Sequence, residues 1–77
     1  MKPAPSLVEQ QRLIMAYAHK RAPRPILVGD VALMLGWWAT LRGTEQQLDS
    51  MVNQGLLRAA TLAECHTYDV RQGYFPV

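Results

Sequence analysis

Cysteine is almost absent from this chain, because Cys65 is the one thiol in 77 residues. A single thiol cannot form an internal disulfide, so we expect a fold that does not depend on an oxidising compartment. Cys65 and His66 are neighbours, but structural zinc normally has four ligands in a recognisable spacing. The sequence also lacks glycine-rich phosphate loops and paired carboxylates. We therefore predict no metal site, no cofactor and no enzymatic activity.

Long apolar runs are lacking as well. The longest apolar-rich stretch, residues 26–41, is interrupted by Asp30, and it is shorter than the about 20 residues that a membrane span needs. The N-terminus carries a positive charge at Lys2 with no apolar segment behind it, which is not typical of a signal peptide. We expect a cytoplasmic protein without membrane contacts.

Neither sign of charge dominates. Eight basic and six acidic residues give a formal net charge of +2, which is well short of the dense basic patch that identifies a nucleic-acid-binding protein by charge alone. Basic residues do gather between His19 and Arg24. They form either the solvated end of a helix, where cations favour the helix dipole, or a patch that contacts phosphates. The apolar share of 49% is typical of a folded domain.

The first helix is predicted over residues 7–21. Ser6 and Glu9 match a capping box at its start, and Pro23 and Pro25 end it because neither has an amide donor. Leu13, Ile14, Tyr17 and Ala18 then share one face at helical spacing.

Two further helices follow. The second is predicted over residues 28–35 and ends at Gly36, which tolerates the left-handed conformation of a helix terminus. The third has two plausible caps, Thr40 and Thr44. We expect an irregular first turn from Thr40 and a regular helix from Thr44 to about Gln54, with Gly55 as its terminal glycine.

After Gly55 the pattern favours β-structure. Strands are predicted at residues 56–61 and 66–70, joined by residues 62–65, because threonine, tyrosine and valine favour strands. Residues 26–27 could add a very short strand. The predicted organisation is a flexible N-terminal arm at residues 1–5, one α+β domain at residues 6–72 and a C-terminal tail at residues 73–77.

Two segments resemble the winged helix-turn-helix family. Residues 31–36, Val-Ala-Leu-Met-Leu-Gly, are similar to its second helix, and residues 48–58, Leu-Asp-Ser-Met-Val-Asn-Gln-Gly-Leu-Leu-Arg, are similar to the end of its recognition helix and the start of its wing. The resemblance covers roughly residues 7–72. It implies three helices followed by a two-stranded β-hairpin wing. It also implies a transcriptional regulator of bacterial, plasmid or phage type that inserts helix 3 into the major groove of double-stranded DNA.

Two sets of residues are candidates for DNA contacts, the alternative being that they are ordinary solvated side chains. Arginine can bond to guanine, and glutamine or asparagine to adenine, so the expected base-reading residues are Thr40, Arg42, Gln46 and Asn53. Phosphate contacts fix the position of a protein on DNA without reading its sequence. The expected phosphate contacts are Lys20, Arg21, Arg24, Arg58 and Arg71.

A second function remains open, namely a winged-helix protein-interaction module or adaptor that does not bind DNA. Glu45 and Asp49 would repel phosphate, although an acidic side chain can accept a hydrogen bond from cytosine. The neighbours Trp37 and Trp38 cannot both face the same core, so either both are partly buried or one anchors a protein partner. Near the C-terminus, Tyr74 and Phe75 either fold back on helix 1 or complete a homodimer.

Overall fold

The computed structural model describes residues 4–77, so residues 1–3 of the predicted N-terminal arm lie outside the described residues. Residues 4–77 form an α+β domain, as predicted, but with four helices instead of three and one two-stranded antiparallel hairpin. Along the chain the elements are α1 (Leu7–Arg21), α2 (Val28–Leu35), α3 (Leu41–Asn53), β1 (Leu57–Ala59), α4 (Leu62–Thr67) and β2 (Tyr74–Pro76).

Helices α1 and α2 have the predicted bounds. At the start of α1 the backbone N–H of Glu9 donates to Ser6 Oγ at 3.2 Å, which satisfies one of the amide groups that a helix leaves free at its N-terminus. Pro5 precedes this cap, and its carbonyl accepts a hydrogen bond from the Gln10 side-chain amide at 2.8 Å. At the end of α2, Gly36 has a φ of 119°, a conformation that glycine adopts without a Cβ clash.

Helix α3 is regular from Leu41, so the prediction of an irregular first turn was wrong. Thr40 is the N-cap, and its Oγ1 accepts a hydrogen bond from the Gly43 N–H at 3.0 Å. A Cβ atom on residue 43 would lie 2.9 Å from that oxygen, so glycine gives the cap the room it needs. Thr44, the other predicted cap, is buried. At the far end, Gly55 has a φ of 80° and turns the chain into β1, as predicted.

The hairpin pairs β1 with β2, with Arg58 opposite Phe75. On the other side of β2, Ile26 forms an isolated bridge with Tyr74. The Ile26 N–H donates to the Tyr74 carbonyl at 2.8 Å, and the Tyr74 N–H donates to the Ile26 carbonyl at 3.0 Å. Strand β2 therefore lies between β1 and the short segment at Ile26.

The predicted second strand at residues 66–70 was wrong, because α4 and a turn occupy this segment and the strand lies at Tyr74–Pro76. The physical reason is a complete capping box before α4. The Glu64 N–H donates to Thr61 Oγ1 at 3.1 Å, and the Thr61 N–H donates to Glu64 Oε1 at 3.0 Å. His66 therefore continues a helix, although the residues after it favour strands.

The segment predicted as a C-terminal tail contains β2, whose aromatic residues pack inside the protein. Tyr74 is 1% exposed and Phe75 is 8% exposed, and β2 contacts α1. The core joins α1, α2 and α3 to the hairpin and consists of Ile14, Ala18, Ile26, Val31, Leu35, Leu48, Met51, Leu57 and Tyr74. Within residues 4–77, none of the helices has the length and apolar character needed to cross a membrane.

Candidate nucleic-acid interface

The exposed side of α3 carries a line of polar residues. Arg42, Gln46, Asp49 and Asn53 are all exposed and follow one another at intervals of four, three and four residues. With 3.6 residues per turn, this spacing places them on one face of the helix. We call these four residues the α3 stripe. The buried residues of the same helix are Thr44, Leu48 and Met51.

Three of the four predicted base-reading residues belong to this stripe, namely Arg42, Gln46 and Asn53. The fourth, Thr40, is exposed, but its Oγ1 already accepts the Gly43 N–H as the N-cap of α3. A hydroxyl that caps a helix still has a donor proton and a second lone pair. Thr40 therefore caps α3 at the end of the helix where Arg42 lies.

Asp49 is held by the core through a tyrosine. The Tyr74 hydroxyl donates to Asp49 Oδ1 at 2.9 Å, and the Gln72 side-chain amide donates to the Tyr74 hydroxyl at the same distance. Burial, and then the hydrogen bond to Asp49, raise the pKa of Tyr74 to about 12. The hydroxyl is thus a stable donor near neutral pH, and it ties the middle of α3 to β2.

Arg58, a predicted phosphate contact, is engaged within the chain. Its guanidinium forms two hydrogen bonds with Glu64, at 2.7 and 2.8 Å, and lies over the Phe75 ring at 4.5 Å from the ring centre. The bond from Arg58, and then the Thr61 backbone N–H, lower the pKa of Glu64 to about 2. This two-pronged pair connects β1 with α4, and the stacking connects β1 with β2.

Three other predicted phosphate contacts line neighbouring depressions of the surface. Arg21 and Arg24 line a cleft that includes Leu27, and Arg71 lines a groove that also includes Leu27 and reaches Glu45 of α3. The two depressions adjoin, because both are lined by Leu27, Asp69 and Val70, and the second reaches Leu41 and Glu45 at the start of α3. All five predicted phosphate contacts are exposed: Lys20, Arg21, Arg24, Arg58 and Arg71.

The two tryptophans have different environments. Trp38 is partly buried and packs against the core, whereas Trp37 is 70% exposed. Trp37 lines a shallow groove together with Leu33, 83% exposed, and Leu41, 62% exposed. We call these three residues the apolar patch. Tyr74 and Phe75, the other predicted partner contacts, are buried within the chain.

Sequence reasoning missed three features near this interface. The capping signature of Thr61 and Glu64 was present in the sequence, and it could have predicted α4. The exposed Leu33 and Leu41 could have been suspected only after α2 and α3 were packed. The bond between Asp49 and Tyr74 joins residues 25 positions apart, and no local pattern points to it.

In the part of the chain that the structure describes, no group of three or more histidine, cysteine, aspartate or glutamate side chains is arranged to hold a metal ion. No protein-family model, no curated protein and no solved structure matches this chain. The chemistry of the α3 stripe and of the apolar patch is therefore the basis for a functional assignment.

Proposed function

We propose that this protein is a winged helix-turn-helix protein that binds double-stranded DNA sequence-specifically, as a transcriptional regulator, and places α3 in the major groove. The observation that carries this proposal is the α3 stripe. Its Arg42, Gln46 and Asn53 are exposed along one face of a helix whose other face is buried. Arginine can form paired hydrogen bonds with guanine, and glutamine or asparagine with adenine.

The order of the elements supports the winged-helix part of the proposal. Helices α2 and α3 are joined by a short turn, and Gly55 leads directly from α3 into the hairpin of β1 and β2. The bridge between Ile26 and Tyr74 adds a short third segment beside β2. In this interpretation α3 is the recognition helix, and the hairpin with α4 between its strands takes the place of the wing.

The basic residues beside α3 support the phosphate-binding part. Arg21 and Arg24 line one depression, and Arg71 lines the adjoining one, which reaches the N-terminal half of α3. From there they would contact the DNA backbone and set the orientation of the helix. Lys20 is a further exposed basic residue in the last turn of α1. Arg58 would contact a phosphate only in exchange for its bond with Glu64.

The test is a titration of the purified protein against random-sequence duplexes at low salt, followed by fluorescence anisotropy. We expect binding that weakens steeply as salt rises, because bound phosphates release counterions. The variant Arg42→Glu should abolish this binding. Arg12→Glu is the matched control, since Arg12 is an exposed α1 residue outside the α3 stripe, and it should retain most of the affinity. If the wild-type protein binds no duplex at low salt, the proposal is wrong.

The apolar patch favours a second candidate function, a protein-interaction module that does not bind DNA. Large exposed apolar side chains that share one groove are typical of protein interfaces, and tryptophan often supplies much of the binding energy. A second copy of the chain is the simplest partner to test. Light scattering would then show a dimer for the wild-type protein and for Arg42→Glu, and a monomer for Trp37→Ser. A monomer at every concentration would exclude this partner.

A further inference from the structure

Asp49 has a special position in the α3 stripe. It lies between Gln46 and Asn53 on the exposed face, yet its Oδ1 accepts a hydrogen bond from Tyr74, whose side chain is buried in the core. Gln72 donates to the same tyrosine hydroxyl. The carboxylate is therefore held in one direction by a chain of donors, and Oδ2 is its second acceptor atom.

We infer that Asp49 is a base-reading residue that selects cytosine in the bound DNA, an inference that rests on the proposed function. An ionised carboxylate only accepts hydrogen bonds. In the major groove guanine presents two acceptors, thymine presents an acceptor and a methyl group, and adenine presents an acceptor next to its amino donor. Cytosine alone presents a donor, its N4 amino group, without an acceptor on the same base. A fixed carboxylate therefore matches cytosine best.

The negative charge of Asp49 strengthens this choice. A carboxylate in the groove is attracted by the cytosine amino group and repelled by the guanine O6 and thymine O4 acceptors. Adenine also presents an amino group, but the N7 acceptor beside it repels the second carboxylate oxygen, so charge separates cytosine from all three other bases. The bond from Tyr74 also reduces the freedom that the side chain loses when it binds. Tyr74 is thus a positioning residue, and Asp49 makes the contact.

The experiment is a selection of bound sequences from random duplexes, performed with the wild-type protein, Asp49→Asn and Gln46→Ala. We expect the wild-type sites to share a C·G pair at one position, and the other pairs at that position to weaken binding about tenfold. Asp49→Asn should lose this preference and shift it towards adenine, which pairs with an asparagine amide. Gln46→Ala, the matched control in the same stripe, should relax a different position and retain the cytosine.

A second variant, Tyr74→Phe, keeps the ring in the core and removes the donor. It should lower the cytosine preference a few-fold and leave the affinity for random duplexes unchanged, whereas a merely structural role would alter both together or neither. Circular dichroism establishes that each variant is folded, and Asp49→Ala replaces Asp49→Asn if the latter is not.

The outcomes separate this inference from the proposed function. If the wild-type protein binds no duplex at low salt, both are wrong. If it binds DNA but Asp49→Asn and Asp49→Ala select the same sites as the wild-type protein, DNA binding stands and the role of Asp49 is wrong. If only the Asp49 variants lose the cytosine preference, and they still select the rest of the wild-type DNA site, the proposed function and the role of Asp49 are both supported.

Discussion

At the scale of single residues, two charged side chains near the candidate interface have partners within the chain. Asp49 accepts a hydrogen bond from Tyr74, and Arg58 forms a two-pronged pair with Glu64. The consequences for binding differ. Asp49 keeps a second acceptor oxygen and a place in the α3 stripe, whereas the Arg58 guanidinium uses two of its nitrogens for Glu64 and lies against the Phe75 ring.

The pair of Arg58 and Glu64 leads to a prediction about acid. The pKa of Glu64 is lowered from its ordinary value of 4.5 to about 2, first of all by the bond from Arg58. A lowered pKa means that the folded state binds this proton less readily than the unfolded state. The stabilisation by Glu64 is therefore complete above about pH 4.5 and is lost as the pH falls towards 2.

Urea unfolding of the wild-type protein and of Glu64→Gln between pH 2 and pH 6 would measure this effect. We expect the free energy of unfolding to fall less steeply with acid in Glu64→Gln than in the wild-type protein. Glu9→Gln is the control, because Glu9 is 3.6 Å from Arg12 in a looser pair, and it should keep most of the wild-type slope. Equal slopes for all three proteins would contradict the prediction.

At the scale of elements, α4 depends on its first turn. The helix has six residues, and none of them is buried, so packing gives it little support and the capping box must provide much of its stability. Residues 66–70 favour strands by composition. The helix nevertheless forms. The hydrogen bonds between Thr61 and Glu64 satisfy amide groups at the start of the helix, and a strand at residues 66–70 would make no use of these bonds.

The variant Thr61→Ala tests this account. It removes the acceptor of the Glu64 N–H, and loss of such a cap costs about 1 kcal/mol of stability. Thr67→Ala is the matched control, since the Thr67 hydroxyl donates to the Ala63 carbonyl within the same helix but does not cap it. We expect urea unfolding to show the larger loss for Thr61→Ala. A larger loss for Thr67→Ala would show that α4 is stabilised in another way.

The start of β2 depends on a close approach at Gly73. A Cβ atom on this residue would lie 2.8 Å from the Cβ of Pro25, which is too close for two carbon atoms. Gly73→Ala should therefore push β2 away from the segment of Ile26 and destabilise the fold by about 1–3 kcal/mol.

Gly29→Ala is the matched control for this prediction. Gly29 lies in α2, and a Cβ atom there meets nothing within 4 Å. Because alanine is the better helix former, this substitution should stabilise the protein by up to about 1 kcal/mol. Thermal unfolding of the two variants would compare them directly. If Gly73→Ala is as stable as the wild-type protein, β2 must be able to shift without cost.

At the scale of the whole molecule, the two proposed binding surfaces meet at the start of α3. Leu41 lines both the groove that contains Arg71 and the groove of the apolar patch. A protein partner on the patch would therefore lie close to the proposed DNA-binding surface. The variants Arg42→Glu and Trp37→Ser separate the two surfaces, because each changes only one of them.

The exposed arginines lead to a prediction about the salt dependence of the proposed DNA binding. Each phosphate contact contributes about 0.9 to the slope of log affinity against log salt concentration. Arg71→Ala should therefore lower the slope by about 1 and weaken binding to all sequences similarly. Arg12→Ala, on the exposed side of α1, should leave the slope unchanged. A normal slope for Arg71→Ala would remove this residue from the phosphate-binding set.

Much of the helical structure could be predicted because its signals are local. The Ser6 cap, Pro23 after α1, Gly36 after α2 and Gly55 after α3 act within a few residues of the ends they define, and these ends were predicted correctly. The exposed positions of the α3 stripe follow from the spacing of Leu48 and Met51, which lie on the opposite face of the same helix. Errors arose where two local tendencies competed, as at residues 61–70.

Local signals in the sequence were sufficient to predict the α+β class, the bounds of α1 and α2 and the polar face of α3, because caps, prolines, glycines and helical spacing act between near neighbours. By contrast, the entry of Tyr74 into the core, its pairing with Ile26 and its hydrogen bond to Asp49 depend on the packing of the folded chain. These contacts join residues that are distant in the chain. The free energy that they contribute depends on apolar surface that is buried only when all the elements pack together.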